Sequence, residues 1–149
     1  MKEKIDKRKQ GKRNRQSGGI WERKVRADLE LKGWLVCKFS NNVDFDEGGK
    51  GKMIPAKRKY NPFSRAFSVG TGFPDFICWK TYAQHTGVIG VEAKSNGYLD
   101  KKEKVKCRWL LDNKIFSNIL IAKKKQEGRK IVPEYTDFED IKIRGEKNV

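Results

Sequence analysis

The chain has 149 residues, enough to bury one hydrophobic core and too few for a second domain of ordinary size. Apolar and charged residues each account for 36%, and 35 Lys and Arg against 19 Asp and Glu leave a net charge of +16, a field that favours a polyanionic partner. No segment approaches the roughly 20 apolar residues of a membrane span, and no apolar run follows the basic N-terminus as a signal peptide requires. The expectation is a nucleic-acid partner in a cytoplasmic setting, prokaryotic or viral.

Residues 1–18 carry eight Lys and Arg, two acids and hardly any apolar side chain, and read as a flexible basic arm that orders only on DNA, ending at Gly18-Gly19. From Ile20 the pattern becomes helical. Trp21, Val25 and Leu29 recur at i, i+4, i+8, Ala27 and Leu31 widen the stripe, and Gly33 supplies the stop. Trp34–Phe39 is a short strand rich in β-formers.

Residues 41–70 read as a long basic loop. They hold a Gly-Gly-Lys-Gly-Lys run, two prolines and Lys57-Arg58-Lys59, and between Lys50 and Arg65 there are six basic residues and no acid. Two strands follow, Asp75–Lys80 and Val88–Lys94, joined by a polar turn over Thr81–Gly87. Asp100 and Glu103 form a capping box for a helix burying Val105, Trp109 and neighbours and ending near Asn113. Phe116–Ala122 is a further strand, and Ile131–Tyr135 an edge strand. The domain is expected over 19–140, with 141–149 as a tail.

Cys37, Cys78 and Cys107 are odd in number and form no CxxC pair; the two in apolar strand-like runs read as buried thiols of a reducing compartment. His85 stands alone in a turn and has no partners for a zinc site.

The segments that carry chemistry are Gly72-Phe-Pro-Asp75 and Val91-Glu92-Ala-Lys94. If their strands pair antiparallel with Lys80 opposite Gly87, Asp75 lies beside Glu92. Alternation then puts Glu92 and Lys94 on one face, with Val91 and Ala93 on the other. Two adjacent carboxylates repel unless a divalent cation neutralises them, and their hard oxygens suit Mg²⁺, with Mn²⁺ as a substitute. The metal polarises a phosphate oxygen and acidifies a water, while a nearby lysine either takes the proton or stabilises the phosphorane. The expected reaction is phosphodiester hydrolysis.

Pro74-Asp75 with Glu92-Ala-Lys94 resembles the PD-(D/E)xK nuclease superfamily. Gly19-Ile-Trp-Glu22-Arg23, Leu29, Gly33-Trp34 and Val36 resemble the opening of its archaeal and viral Holliday-junction-resolvase branch. The likeness covers roughly 18–40 and 70–122. It implies a single α/β domain with a restriction-endonuclease-like αβββαβ core, a central mixed sheet flanked by helices. It also implies a metal site of Asp75, Glu92 and the Ala93 carbonyl, completed or supported by Glu22, with Lys94 positioning the attacking water. A homodimer acting on branched or duplex DNA is implied as well. Glu22 has a second reading, a surface pair with Arg26 at i, i+4. Ser40 falls where resolvases often carry a polar active-site residue, and the position where relatives place a glutamine holds Glu103, which capping accounts for. Because 41–70 is longer than the connection in resolvases, two alternatives stand beside a junction resolvase: a homing or restriction-type endonuclease, and a DNA-binding protein without catalysis. DNA contacts are expected from Lys9, Lys12, Arg13 and Arg15 in the arm and from Lys50, Lys52, Lys57, Arg58, Lys59 and Arg65 in the loop.

Overall fold

Helix α1 (Lys7–Leu31) begins at Asp6, whose carboxylate accepts the Arg8 N–H at 3.0 Å, and buries Trp21, Val25 and Leu29 on one narrow face. The structure, a computed structural model, describes residues 6–70, 72–80 and 87–141. Ten further elements of regular structure follow α1: β1 (Leu35–Lys38), β2 (Asn41–Phe45), β3 (Gly51–Pro55), β4 (Arg58–Asn61), β5 (Ala66–Val69), β6 (Phe76–Trp79), β7 (Ile89–Ala93), α2 (Lys101–Asp112), β8 (Asn118–Glu127) and β9 (Lys130–Asp137). A single turn of 3₁₀ helix, Phe138–Asp140, comes last.

One five-stranded sheet, ordered β1-β6-β7-β8-β9, forms the centre. It is mixed: β7 and β8 run parallel and every other pair is antiparallel. A parallel pair needs a crossover, and α2 supplies it. The helices cover opposite faces. Trp21, Val25 and Leu29 of α1 pack on Val36, Phe76, Cys78, Ile89, Val91 and Ala122. Cys107 and Leu110 of α2 pack on Phe39, Phe116, Ile119 and Ile121. Two polar ties fix α1 across the sheet: Trp21 Nε1 donates to the Ala122 carbonyl at 3.2 Å, and Tyr135 Oη donates to Asp28 at 2.6 Å. Leaving out β2 to β5, the order is α-β-β-β-α-β with β9 at the far edge, so the α/β class, the mixed sheet and the flanking helices are as expected.

Several expectations need correction. The basic arm is not unstructured over its described part, since α1 already runs from Lys7 and passes through Gly18-Gly19. Apolar periodicity could not reveal this half, because it has no apolar stripe; a cap and long straight-chain residues hold it as helix. The stretch 41–70 is not a bare loop but two antiparallel hairpins, β2–β3 and β4–β5. Among the residues whose burial is described, Val43 is its one buried strand residue with a large side chain, so alternation left little trace. On α1, Leu31 is 87% exposed and does not widen the stripe; on α2, Val105 is 52% exposed and the inward face belongs to Cys107 and Leu110. Cys37 is exposed on the edge strand, whereas Cys78 and Cys107 are buried and free. The last long strand runs past Ala122 through Lys125 to Glu127. Gly33, at φ +88°, terminates α1 as expected, in a conformation that glycine adopts without steric cost. The centre of the Thr81–Gly87 turn, His85 and residues 142–149 lie outside the described residues. No helix among the described residues is long and apolar enough to cross a membrane.

Candidate active site

In the β6–β7 hairpin Phe76 pairs with Val91, Ile77 with Gly90 and Cys78 with Ile89. One more step outward brings Asp75 opposite Glu92, the pairing that counting from Lys80 and Gly87 predicts. Side chains close this last rung. The Asp75 N–H donates to Glu92 Oε2 at 3.0 Å, and the Ala93 N–H donates to Asp75 Oδ2 at 2.9 Å. Each acid thus commits one oxygen to main chain, which fixes both carboxylates side by side at the hairpin's open end. Strand β1 steadies the same point, since the Phe39 N–H donates to the Asp75 carbonyl at 2.9 Å.

Alternation behaves as expected: Val91 and Ala93 face α1, and Glu92 faces α2, where it acts on Cys107. Glu92 is 7% exposed, the one buried acid among the described residues. Burial, joined by the charge of Asp75, pushes its pKa up to about 9. Burial likewise raises Asp75 to about 6; the charge of Glu22 adds to this, and the hydrogen bond from Ala93 opposes it. At neutral pH the pair therefore keeps a proton, chiefly because burial strips water from the carboxylates and secondarily because negative charges are crowded together.

Lys94 comes to 4.0 Å from Glu92 Oε1 and forms a closer ion pair with Glu103 Oε1. Burial works to discharge the ammonium, but Glu103, then Glu92 and Asp100, outweigh it and raise its pKa above the usual lysine value. Of the two roles open to it in the sequence, the cationic one fits. Glu103 is the residue that sequence reasoning assigned to capping alone. The capping box is present: Asp100 Oδ1 accepts the Glu103 N–H at 2.8 Å, and Glu103 Oε2 accepts the Asp100 N–H at 2.9 Å. Its other oxygen nevertheless reaches Lys94. The signal available was the register: Lys94 follows Glu92 on the α2-facing side, and Glu103 starts the helix packed there.

Glu22 is partly buried on α1 and acts electrostatically on Asp75, while Arg26 turns to Glu30 (3.0 Å) and the Val36 carbonyl (3.1 Å), so the surface pair with Arg26 does not form. Among the described residues no three of His, Cys, Asp and Glu gather as a metal-binding group, and Glu22 stands outside the Asp75–Glu92 pair. Ser40 serves the fold through its carbonyl, which accepts the Ala56 N–H at 2.9 Å.

The ten cationic candidates are all exposed. They fall into two groups. Lys9, Lys12, Arg13 and Arg15 lie on the first half of α1. The others follow the hairpins: Lys50 and Lys52 at β3, Lys57, Arg58 and Lys59 at β4, and Arg65 in the β4–β5 turn. Sequence reasoning missed a third group. Lys101, Lys102 and Lys106 border a groove of about 580 Å³ between β2 and α2, together with the already expected Lys57 and one acid, Asp44, with Val43 and Phe45 on its walls. Lys101 and Lys102 occupy the first turn of α2, beside Glu103.

No family model, curated protein or solved structure matches the chain.

Proposed function

We propose that the chain is a metal-dependent DNA endonuclease with a restriction-endonuclease-like core, hydrolysing phosphodiester bonds at Asp75, Glu92 and Lys94. The observation that carries this reading is the last rung of the β6–β7 hairpin, where two carboxylates lock side by side on main-chain N–H groups and a lysine approaches one of them.

The donor set suits Mg²⁺, or Mn²⁺ in its place. This cation is held by one or two carboxylates, keeps several waters, and needs no cage of three protein acids. Asp75, Glu92 and the Ala93 carbonyl would hold it, and Glu22 supports the site through its field at Asp75. When bound, the cation supplies Lewis acidity toward a phosphate oxygen and a more acidic water. Lys94 stays charged, orients the attacking water and offsets charge on the pentavalent phosphate. Glu103 holds Lys94 in place. The cations of α1, the hairpins and the α2 groove contact phosphates, which supplies affinity without sequence readout.

The preferred substrate is branched DNA, as the likeness to junction resolvases implies. Cutting two strands or two arms calls for two sites, so a homodimer in the cytoplasm is part of the proposal. The test is Mg²⁺-dependent cleavage of junction, flap, duplex and single-stranded DNA of one sequence. Asp75→Asn and Lys94→Ala should each abolish nicking while binding survives, or tightens for Asp75→Asn as carboxylate–phosphate repulsion falls. Cleavage unchanged by both substitutions sinks the assignment. Intact DNA binding with no cleavage by the wild-type protein leaves a silent DNA-binding protein. Preference for one linear sequence over junctions points to the homing or restriction type.

A further inference from the structure

The β4–β5 hairpin has no part in the chemistry described so far. It forms a two-stranded sheet of its own, and residues 57–68 are all exposed. A ribbon with no core beneath it ought to be polar, yet this one displays aromatic rings. Phe63 at its turn is 97% exposed, Phe67 is 67% exposed and Tyr60 is 54% exposed. Tyr60 and Phe67 pair directly across the strands with ring centroids 5.1 Å apart. The turn that presents Phe63 is tied, its N–H donating to Asn61 Oδ1 at 3.0 Å. Lys57, Arg58, Lys59 and Arg65 are carried on the same ribbon, and no acid occurs between Glu47 and Asp75.

The root of the ribbon indicates its occupant. The Gly70 N–H donates to the Lys57 carbonyl at 2.8 Å and closes the ribbon, and the Phe73 N–H donates to the Asn41 carbonyl at 2.8 Å. Residues 70–74 then lead directly into Asp75. The ribbon therefore springs from the same end of β6 as the carboxylate pair, five residues ahead of Asp75, within reach of a polyanion seated at that pair. Four residues per strand extend about 14 Å, and the DNA major groove, about 12 Å wide, admits a two-stranded ribbon. Minor-groove proteins wedge apolar side chains between base steps, and exposed aromatic rings stack on bases that have left the helix.

We propose that the β4–β5 ribbon enters the DNA next to the bond to be cut and stacks Phe63 on a base that it has unstacked, with Tyr60 and Phe67 bracing the turn. The proposal rests on the nuclease reading for its substrate. The test uses the full chain in EDTA, with four-way-junction and linear DNA carrying 2-aminopurine at successive positions along each strand. Wild-type protein should raise the fluorescence at one or a few positions. Phe63→Ala should remove that rise and weaken binding about tenfold, with the salt dependence unchanged. Phe63→Trp should restore both. Because the ring touches little of the fold, melting temperatures should match. Equal fluorescence and affinity for wild type and Phe63→Ala overturn the wedge. So does a Phe63 requirement confined to anionic vesicle binding or to self-association, in which case DNA cleavage, if present, leaves the nuclease reading standing. A wild-type chain that binds no DNA overturns both.

Discussion

Glu103 uses its two oxygens for different tasks, one closing the cap of α2 and one gripping Lys94. These can be separated by substitution. Glu103→Ala should lower stability by about 1 kcal/mol through the cap and cut the nicking rate about tenfold through the loosened lysine. Glu103→Gln can still reach the Asp100 N–H, so melting should hold while the rate falls. Urea unfolding and plasmid nicking on the same preparations check this. Glu92 offers a second test at this scale. Its folded pKa, about 9, lies above the ordinary 4.5, so the folded state binds the proton more tightly. The resulting stability is fully present below about pH 4.5 and is lost as pH rises through 9; Asp75 acts the same way up to about 6. In EDTA, Glu92→Gln should melt higher than wild type at pH 8 and should flatten this decline. A wild-type profile that rises across that window contradicts the burial argument. The meeting of Asp75 and Glu92 could be read from sequence because one tight hairpin has a single register to count. The second role of Glu103 was only half legible: the register puts Lys94 on the α2 side, but the meeting also depends on how α2 docks against β7.

Elements differed in how plainly they could be read. Strands β6, β7 and β8, with their runs of buried β-formers, stood out, as did the buried half of α1. The first half of α1 and all of β4 have no buried residue described, and a pattern based on burial cannot register elements that bury nothing. The same fact makes the start of α1 dispensable for folding. A chain beginning at Gly18 should melt within about 1 kcal/mol of the full protein, since Trp21 is the first core residue. It should nevertheless bind DNA more weakly, with a shallower dependence on salt. Each lost phosphate contact removes about 0.9 from the slope of log affinity against log salt on duplex DNA. A slope identical to that of the intact chain means that this half of α1 does not touch DNA.

For the molecule as a whole, a net charge of +16 is set against the pair of buried Glu92 and half-buried Asp75; under the proposed function the broad field would collect polyanion and the small opposite spot would hold a cation. Mg²⁺ should therefore raise the melting temperature of the wild-type protein, as any ligand of the folded state does, and should leave Asp75→Asn unmoved. A shift of equal size in both proteins means that the ion binds elsewhere. Periodicity conveyed the layered α/β class with its mixed sheet, and charge raised the expectation of a polyanionic partner. They did not convey the two hairpins of the insertion, because strands that bury so little leave no alternating pattern to read.

That insertion rejoins the core through Gly72, where an added Cβ would lie 2.0 Å from the Phe39 carbonyl oxygen and 2.7 Å from that of Asn41. Phe39 is also the residue whose N–H holds the Asp75 carbonyl. One methyl group at Gly72 would thus act as a lever on a seam, prising Asp75 from its seat without altering any charged atom. On the proposed nuclease reading, Gly72→Ala should leave every reactive group intact and none in register: nicking lost, Mg²⁺ no longer protective against heat, and the far-UV spectrum of the folded chain retained.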